Sequence, residues 1–175
     1  KSHAGIGLGA TMTIGVFDSG VGGLTVLAAL REAMPSADLL YLGDTARVPY
    51  GSRSEDTVAR YATDCARWLL DSGCEQVVIA CNTASAYGAD RVRQLSGNRP
   101  VFGVVRAGAV AAQRLGGKQG IAVLATRGTV ASRAYEHVLS DRLPDTPIRQ
   151  VACPLLAPMI EEGWYDHPAI EAAID

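Results

Sequence analysis

The sequence has no basic run, no apolar stretch of the roughly 18 residues that a membrane span needs, and no Cys-x-x-Cys pair. Each absence removes a class of protein. With a net charge of −2 and no basic run, composition gives no support for nucleic-acid binding. Without a long apolar stretch, nothing points to a membrane. The four cysteines are Cys65, Cys74, Cys81 and Cys153, and their spacing does not suggest a zinc site or a thioredoxin-type centre. Residues 1–12 are rich in Gly and Ala and too poor in apolar residues for a secretory signal. They are read as a leader or expression remnant outside the fold, and reduced thiols in the cytoplasm are expected. No repeat of about 20–50 residues is present. The glycine-rich segment 18–23 reads D-S-G-V-G-G, which is neither G-x-G-x-x-G nor a Walker-type loop followed by Lys-Ser or Lys-Thr.

What is present fits a folded chain of one domain, or one domain and part of a second. Of its 175 residues, 48% are hydrophobic and 19% charged, values that argue against disorder. Short apolar runs alternate with helical patterns. Strands are predicted over 13–17, 39–42, 76–80, 101–105, 121–125 and 148–152. Helices are predicted over 26–34, 54–71, 84–95, 107–115 and 130–143, with another after Pro154. The helix at 54–71 is the clearest. Glu55 and Asp56 favour its positive end, and Val58, Tyr61, Ala62, Cys65, Trp68 and Leu69 form its apolar stripe. Near-continuous apolar strands separated by helices indicate an α/β fold, with a parallel sheet flanked by helices on both faces. The pattern restarts near Ala107. The expected division is therefore a first α/β domain at 13–106 and a similar but partial second one at 107–175.

In such a sheet, chemistry gathers at the carboxyl ends of the strands. Here those ends carry Asp18-Ser19, Gly43-Asp44, Cys81-Asn82-Thr83 and the segment 126–129. Cys81 is the most informative of the cysteines. It begins a strand-to-helix turn, and a helix N-terminus lowers a thiol's pKa; the alternative is a small buried hydrophobe. Cys65, on a helical apolar stripe, and Cys74 read as structural, and Cys153 leans the same way. Asp18 and Asp44 fit a general base or ammonium ligand, or else loop capping. Arg47 and Arg53 fit a carboxylate ligand or plain surface positions. His137 reads as a surface residue in mid-helix.

Five motifs then carry a resemblance. The segments I-G-V-F-D-S-G-V-G-G-L-T (14–25), Y-L-G-D-T-A-R-V-P-Y-G (41–51), V-I-A-C-N-T-A-S-A (78–86), V-L-A-T-R-G-T-V (123–130) and A-C-P-L-L-A-P-M-I-E-E-G (152–163) resemble, in order, those of bacterial glutamate racemases. The resemblance implies two α/β domains with a site between them, and interconversion of L- and D-glutamate without cofactor or metal, supplying D-glutamate for peptidoglycan. It implies that Cys81 exchanges the α-proton on one face of the substrate, with Asp18 beside it to tune or relay the proton. Ser19, Tyr50, Gly51, Asn82 and Thr83 match substrate-binding positions, as does Asp18 itself. Thr126 and Thr129 match hydroxyls that hold a substrate carboxylate, and Asp44 and Glu161 match supporting carboxylates. The expected partners are a small-molecule substrate, glutamate, and a second copy of the chain in a homodimer, with no nucleic acid and no membrane.

The chemistry is consistent with that reading. Removing an α-proton builds charge on the adjacent carboxylate, so aimed hydrogen-bond donors lower the barrier. Racemisation needs one acid/base group on each face of the carbon, and a thiol–thiolate pair meets that need. The second thiol is expected in a G-C-T-H-type motif, which these 175 residues lack. The expectation is a fragment of a full racemase. The competing expectations are a racemase of another acid such as aspartate, and a catalytically silent chain that binds a dicarboxylic acid.

Overall fold

The computed structural model describes residues 12–116 and 120–174. Residues 1–11 of the expected leader lie outside them, as does Gly117, the expected helix stop beside Gly116. Strands β1 (Thr13–Asp18), β2 (Asp38–Gly43), β3 (Gln76–Ile79) and β4 (Val101–Gly103) form a parallel sheet in the order β2-β1-β3-β4. Its helices are α1 (Leu24–Ala33), α2 (Glu55–Asp71) and α3 (Asn82–Ser96), and α4 (Val104–Leu115) leads out of it. A second parallel pair, β5 (Ile121–Ala125) and β6 (Ile148–Ala152), runs in register from Ile121 opposite Ile148 to Ala125 opposite Ala152. Helices α5 (Arg127–Ala131), α6 (Ala134–Arg142), α7 (Leu156–Glu161) and α8 (Pro168–Ile174) accompany it.

The apolar runs are explained by burial on both faces. Phe17, Val77 and Ile79 point to one side and meet Val58, Ala62, Cys65 and Leu69 of α2 and Ala84 and Val92 of α3. Their neighbours Ile14, Val16, Val78 and Ala80 point to the other side and meet Val26, Leu27 and Leu30 of α1. Central strands of a covered parallel sheet carry apolar side chains at every position for this reason. Among the described residues, no helix is long and apolar enough to cross a membrane.

Several element boundaries differ from expectation, each with a local cause. The strand predicted over 101–105 ends at Gly103, where its partner β3 stops at Ile79. The Val104 N–H then donates to Ser85 Oγ (3.1 Å), and the chain turns into α4. Helix α3 starts two residues earlier than predicted because Cys81 caps it. The helix expected over 130–143 is two helices, broken where Arg133 adopts a left-handed backbone (φ 55°). Trp68, expected on the buried stripe of α2, is 49% exposed. The buried face of α2 is displaced toward Ala59 and Ala66, because α3 packs on that flank. A Cβ on Gly88 of α3 would lie 2.5 Å from Ala62 Cβ, so the two helices approach as only small residues allow.

Candidate active site

Three strand ends and two further segments close around a cavity of about 400 Å³. Asp18 and Ser19 come from the end of β1, Ala80 to Thr83 from the end of β3, and Thr126 and Arg127 from the end of β5. The segment Val48 to Ser52 and the residues Pro154, Ala157, Pro158 and Glu161 supply much of the remaining wall, with Gly22, Thr25, Val26 and Val104.

Cys81 sits at the N-cap of α3 in extended conformation, and its sulfur accepts from the Ala84 N–H at 3.4 Å. Its thiol donates to Ser19 Oγ, also at 3.4 Å. The preferred cap residues are Ser, Thr, Asp and Asn. Here a thiol does their work, so cap signals place the helix start too late. Asp18 is buried, and its Oδ2 accepts from the Gly20 N–H at 3.0 Å. That bond shapes the turn under the cavity. Glu161 Oε1 reaches the same turn, where a Cβ on Gly20 would lie 3.2 Å from it.

Threonine hydroxyls form the opposite side. Thr83 Oγ1 lies 2.9 Å from Thr126 Oγ1 and 3.1 Å from Thr129 Oγ1, and Thr126 and Thr129 are 3.1 Å apart. Thr83 and Thr126 line the cavity, whereas Thr129 is fully buried behind them and does not. The ring ties the start of α3 to the start of α5. The Gly128 N–H also donates to the Gly51 carbonyl at 2.9 Å, and a Cβ on Gly51 would stand 2.6 Å from Thr126 Cβ. Gly51 therefore permits a backbone approach between the two sheets that any side chain would block.

Asp44 is not in the cavity wall. It lies behind the Val48 to Ser52 segment, where the Tyr50 hydroxyl donates to its Oδ2 and Arg47 Nε donates at 2.6 Å. Arg47 also binds Asp64 (3.0 Å) and lies over the Tyr61 ring (4.4 Å). Asp44 and Arg47 thus brace one wall from behind. Tyr50 borders the cavity, but its hydroxyl is committed to Asp44. Cys65 is buried against this group, Cys74 is buried elsewhere in the core, and His137 is exposed.

Burial sets the protonation of the site. It pushes the Cys81 thiol above its ordinary pKa, and the negative charge of Asp18 adds to that. Hydrogen bonds to the thiolate, from the Ala84 N–H and from a Ser19 hydroxyl turned to donate, pull the other way and lose. The lowering expected from the helix N-terminus is present but outweighed by desolvation, because the sulfur is walled in. Tyr41, which the apolar pattern of β2 disguises, donates to the Gly20 carbonyl at 3.1 Å. Its pKa is raised to about 12 by burial, then by Asp18 and Cys81. Arg127 and the apolar wall at Pro154 and Pro158 were also missed, since nothing in their spacing distinguishes them from a helix start and a turn. Among the described residues, no cluster of His, Cys, Asp or Glu is arranged to hold a metal.

Fold and site together define a parallel α/β chain that gathers a thiol, two carboxylates and a ring of hydroxyls around a cavity for a small polar ligand. The chain belongs to the Asp/Glu/Hydantoin racemase family, whose model matches residues 24–156. It is 50% identical over 155 residues to a glutamate racemase of Koribacter versatilis, an alignment covering 89% of this chain and 52% of that one. It is 44% identical over 160 residues to a glutamate racemase of Neisseria meningitidis, covering 91% and 59% respectively. The crystal structure of glutamate racemase from Francisella tularensis in complex with D-glutamate superposes with a TM-score of 0.86 at 36% identity, covering 93% of this chain and 61% of that one. The chain therefore spans between about half and about three-fifths of the length of these relatives.

Proposed function

We propose that this chain carries the Cys81 half of a cofactor-independent glutamate racemase, an isomerase that interconverts L- and D-glutamate for peptidoglycan. The observation that carries the reading is the placement of the Cys81 sulfur beside Ser19 in a cavity that also holds Asp18, Glu161 and the Thr83–Thr126 hydroxyl pair. The relatives' names, and the D-glutamate bound in the Francisella tularensis enzyme, support glutamate as the ligand.

In this reading Asp18, Ser19, Tyr50, Gly51, Asn82, Thr83 and Thr126 surround the amino acid, and Thr129 orients the two cavity hydroxyls. The hydroxyls, with the N–H groups at the start of α3, receive the α-carboxylate and stabilise the charge that builds there as the α-proton leaves. Asp18 meets the ammonium group. That positive charge, arriving next to a buried sulfur, favours the thiolate and offsets the desolvation that holds Cys81 protonated in the empty cavity. Cys81 then takes the proton from one face of the α-carbon, or returns it there. Asp44 and Glu161 support the walls and the turn. The two units are residues 13–106 and 107–175, and the protein works in the reducing cytoplasm as a homodimer.

One observation favours a narrower reading. Cys153 lines an adjoining cavity of about 560 Å³ against the β5–β6 sheet, which shares Asn82, Thr126 and Ala157 with the first, so the described wall around Cys81 contains one thiol. A single thiol serves a single face, and alone it gives exchange without inversion.

Protection from alkylation tests the reading. Iodoacetamide labelling, resolved by peptide mass, separates Cys81 from Cys65, Cys74 and Cys153. Glutamate at ten times its Kd is expected to slow Cys81 labelling about elevenfold and leave the other three unchanged. Equal protection by aspartate at that concentration would move the assignment to a different acid. Absence of protection by either would remove the cavity as their site.

A further inference from the structure

Asn82 follows Cys81 directly and lines the cavity, yet its side-chain amide is ambivalent: the oxygen accepts and the NH₂ donates. A ligand carboxylate needs the donor, and an amide free to turn about its last bond would present the repelling oxygen just as readily. The structure removes that freedom from a distance of 53 residues. Tyr135, in the first turn of α6, donates its hydroxyl to Asn82 Oδ1 at 2.7 Å. The ring gets there by passing over Gly108 of α4, where a Cβ would come within 2.9 Å of Tyr135 Oη and 3.2 Å of its Cε1. Burial raises the Tyr135 pKa, so the hydroxyl keeps its one proton across the physiological range.

We propose that Tyr135 is a positioning residue that holds the Asn82 oxygen away from the Cys81 cavity and so presents the Asn82 NH₂ to a ligand carboxylate. The inference rests on the reading of that cavity as an acidic amino-acid site. Oxygen and nitrogen diverge from the amide carbon in one rigid plane, so fixing one fixes the other. Tyr135 touches neither the ligand space nor Cys81 and acts only through Asn82. Its place on α6 makes donor presentation beside the thiol depend on how α6 and α4 sit against the start of α3. Gly108 is the second part of the device, because any larger residue there displaces the phenol.

The test uses the full ¹⁵N-labelled chain. The Asn82 side-chain NH₂ pair is assigned by its disappearance in Asn82→Asp. In Tyr135→Phe, which removes one oxygen, the pair is expected to shift and to exchange faster with solvent. The Kd of glutamate is expected to rise about three- to tenfold, the worth of one oriented hydrogen bond. Gly108→Ala, which keeps the hydroxyl but moves it, should reproduce both effects. His137→Ala, on the exposed face of the same helix, should reproduce neither. An Asn82 pair unmoved by Tyr135→Phe would overturn the proposal, and so would a moved pair with unchanged glutamate affinity. If the unmodified chain binds neither enantiomer, the reading of the cavity fails, while the NH₂ pair still decides whether Tyr135 holds the amide.

Discussion

At the scale of the residue, Cys81 is a cap, a buried thiol and the proposed proton carrier at once, and the three roles make different demands. Burial and the Asp18 charge hold the proton on, and the Ser19 and Ala84 hydrogen bonds work to release it. Alkylation of Cys81 should therefore turn on at a higher pH than that of a free thiol. Asp18→Asn, by removing a neighbouring negative charge, should shift the pH–rate profile down and speed labelling near neutrality. Ser19→Ala, by removing the hydroxyl that can turn to donate to the thiolate, should shift it up. A pH series of labelling rates on the three chains checks the order. Asp18→Asn is also expected to lose glutamate affinity, so greater thiol reactivity with weaker binding distinguishes an electrostatic neighbour from a mere scaffold. Behind the site, Thr129→Val keeps the shape of a fully buried side chain and breaks two hydroxyl contacts. Urea unfolding should show a loss of about 1–2 kcal/mol.

At the scale of the element, the strands were legible because both faces of the sheets are covered. β5 and β6 match their predicted ranges, and β1 to β3 differ only at their ends. What was not legible has local causes of a kind that periodicity does not encode. A cysteine caps α3, a left-handed arginine splits α5 from α6, and a serine hydroxyl from α3 ends β4 early. Trp68 was misplaced because helical spacing gives the width of a stripe but not which flank its neighbour covers. That neighbour is α3, and Gly88 records how close it lies. Alanine is the better helix former by about 1 kcal/mol. Gly88→Ala nevertheless forces α2 and α3 apart at an overpacking cost of about 1–3 kcal/mol. The net expectation is a destabilisation of up to about 2 kcal/mol in denaturant titration, the reverse of what propensity alone predicts.

At the scale of the whole molecule, the site was legible as a set of strand ends but not as an enclosure. Sequence places Asp18, Cys81 and Thr126 at the tips of β1, β3 and β5. It does not show that Gly51 lets the loop after β2 lie against Thr126, or that Asp44 braces that loop from behind. These contacts join segments far apart in the chain, and no local pattern reports them. The brace has a pH signature. Buried next to Asp44, Cys65 has its pKa raised from 9.0 to about 11, first by desolvation and then by that carboxylate. In the unfolded chain it ionises at its ordinary value. Between those two values the unfolded state has lost a proton that the folded state keeps, so stability falls as pH rises. Tyr41, raised to about 12, adds to the fall in the same direction. The urea midpoint should not change on account of these groups between pH 6 and about 8, and it should decline steadily above about 9. Cys65→Ala should flatten part of that decline.

The measurement closest to the centre of the proposed function is α-proton exchange in D₂O. Purified chain is incubated separately with L- and D-glutamate, with the α-proton followed by NMR and the configuration by optical rotation. One thiol facing one side of the α-carbon should exchange one enantiomer and leave its configuration intact, and Cys81→Ala should abolish that exchange. Exchange that persists in Cys81→Ala, or no exchange of either enantiomer by the unmodified chain, would contradict the role given to Cys81.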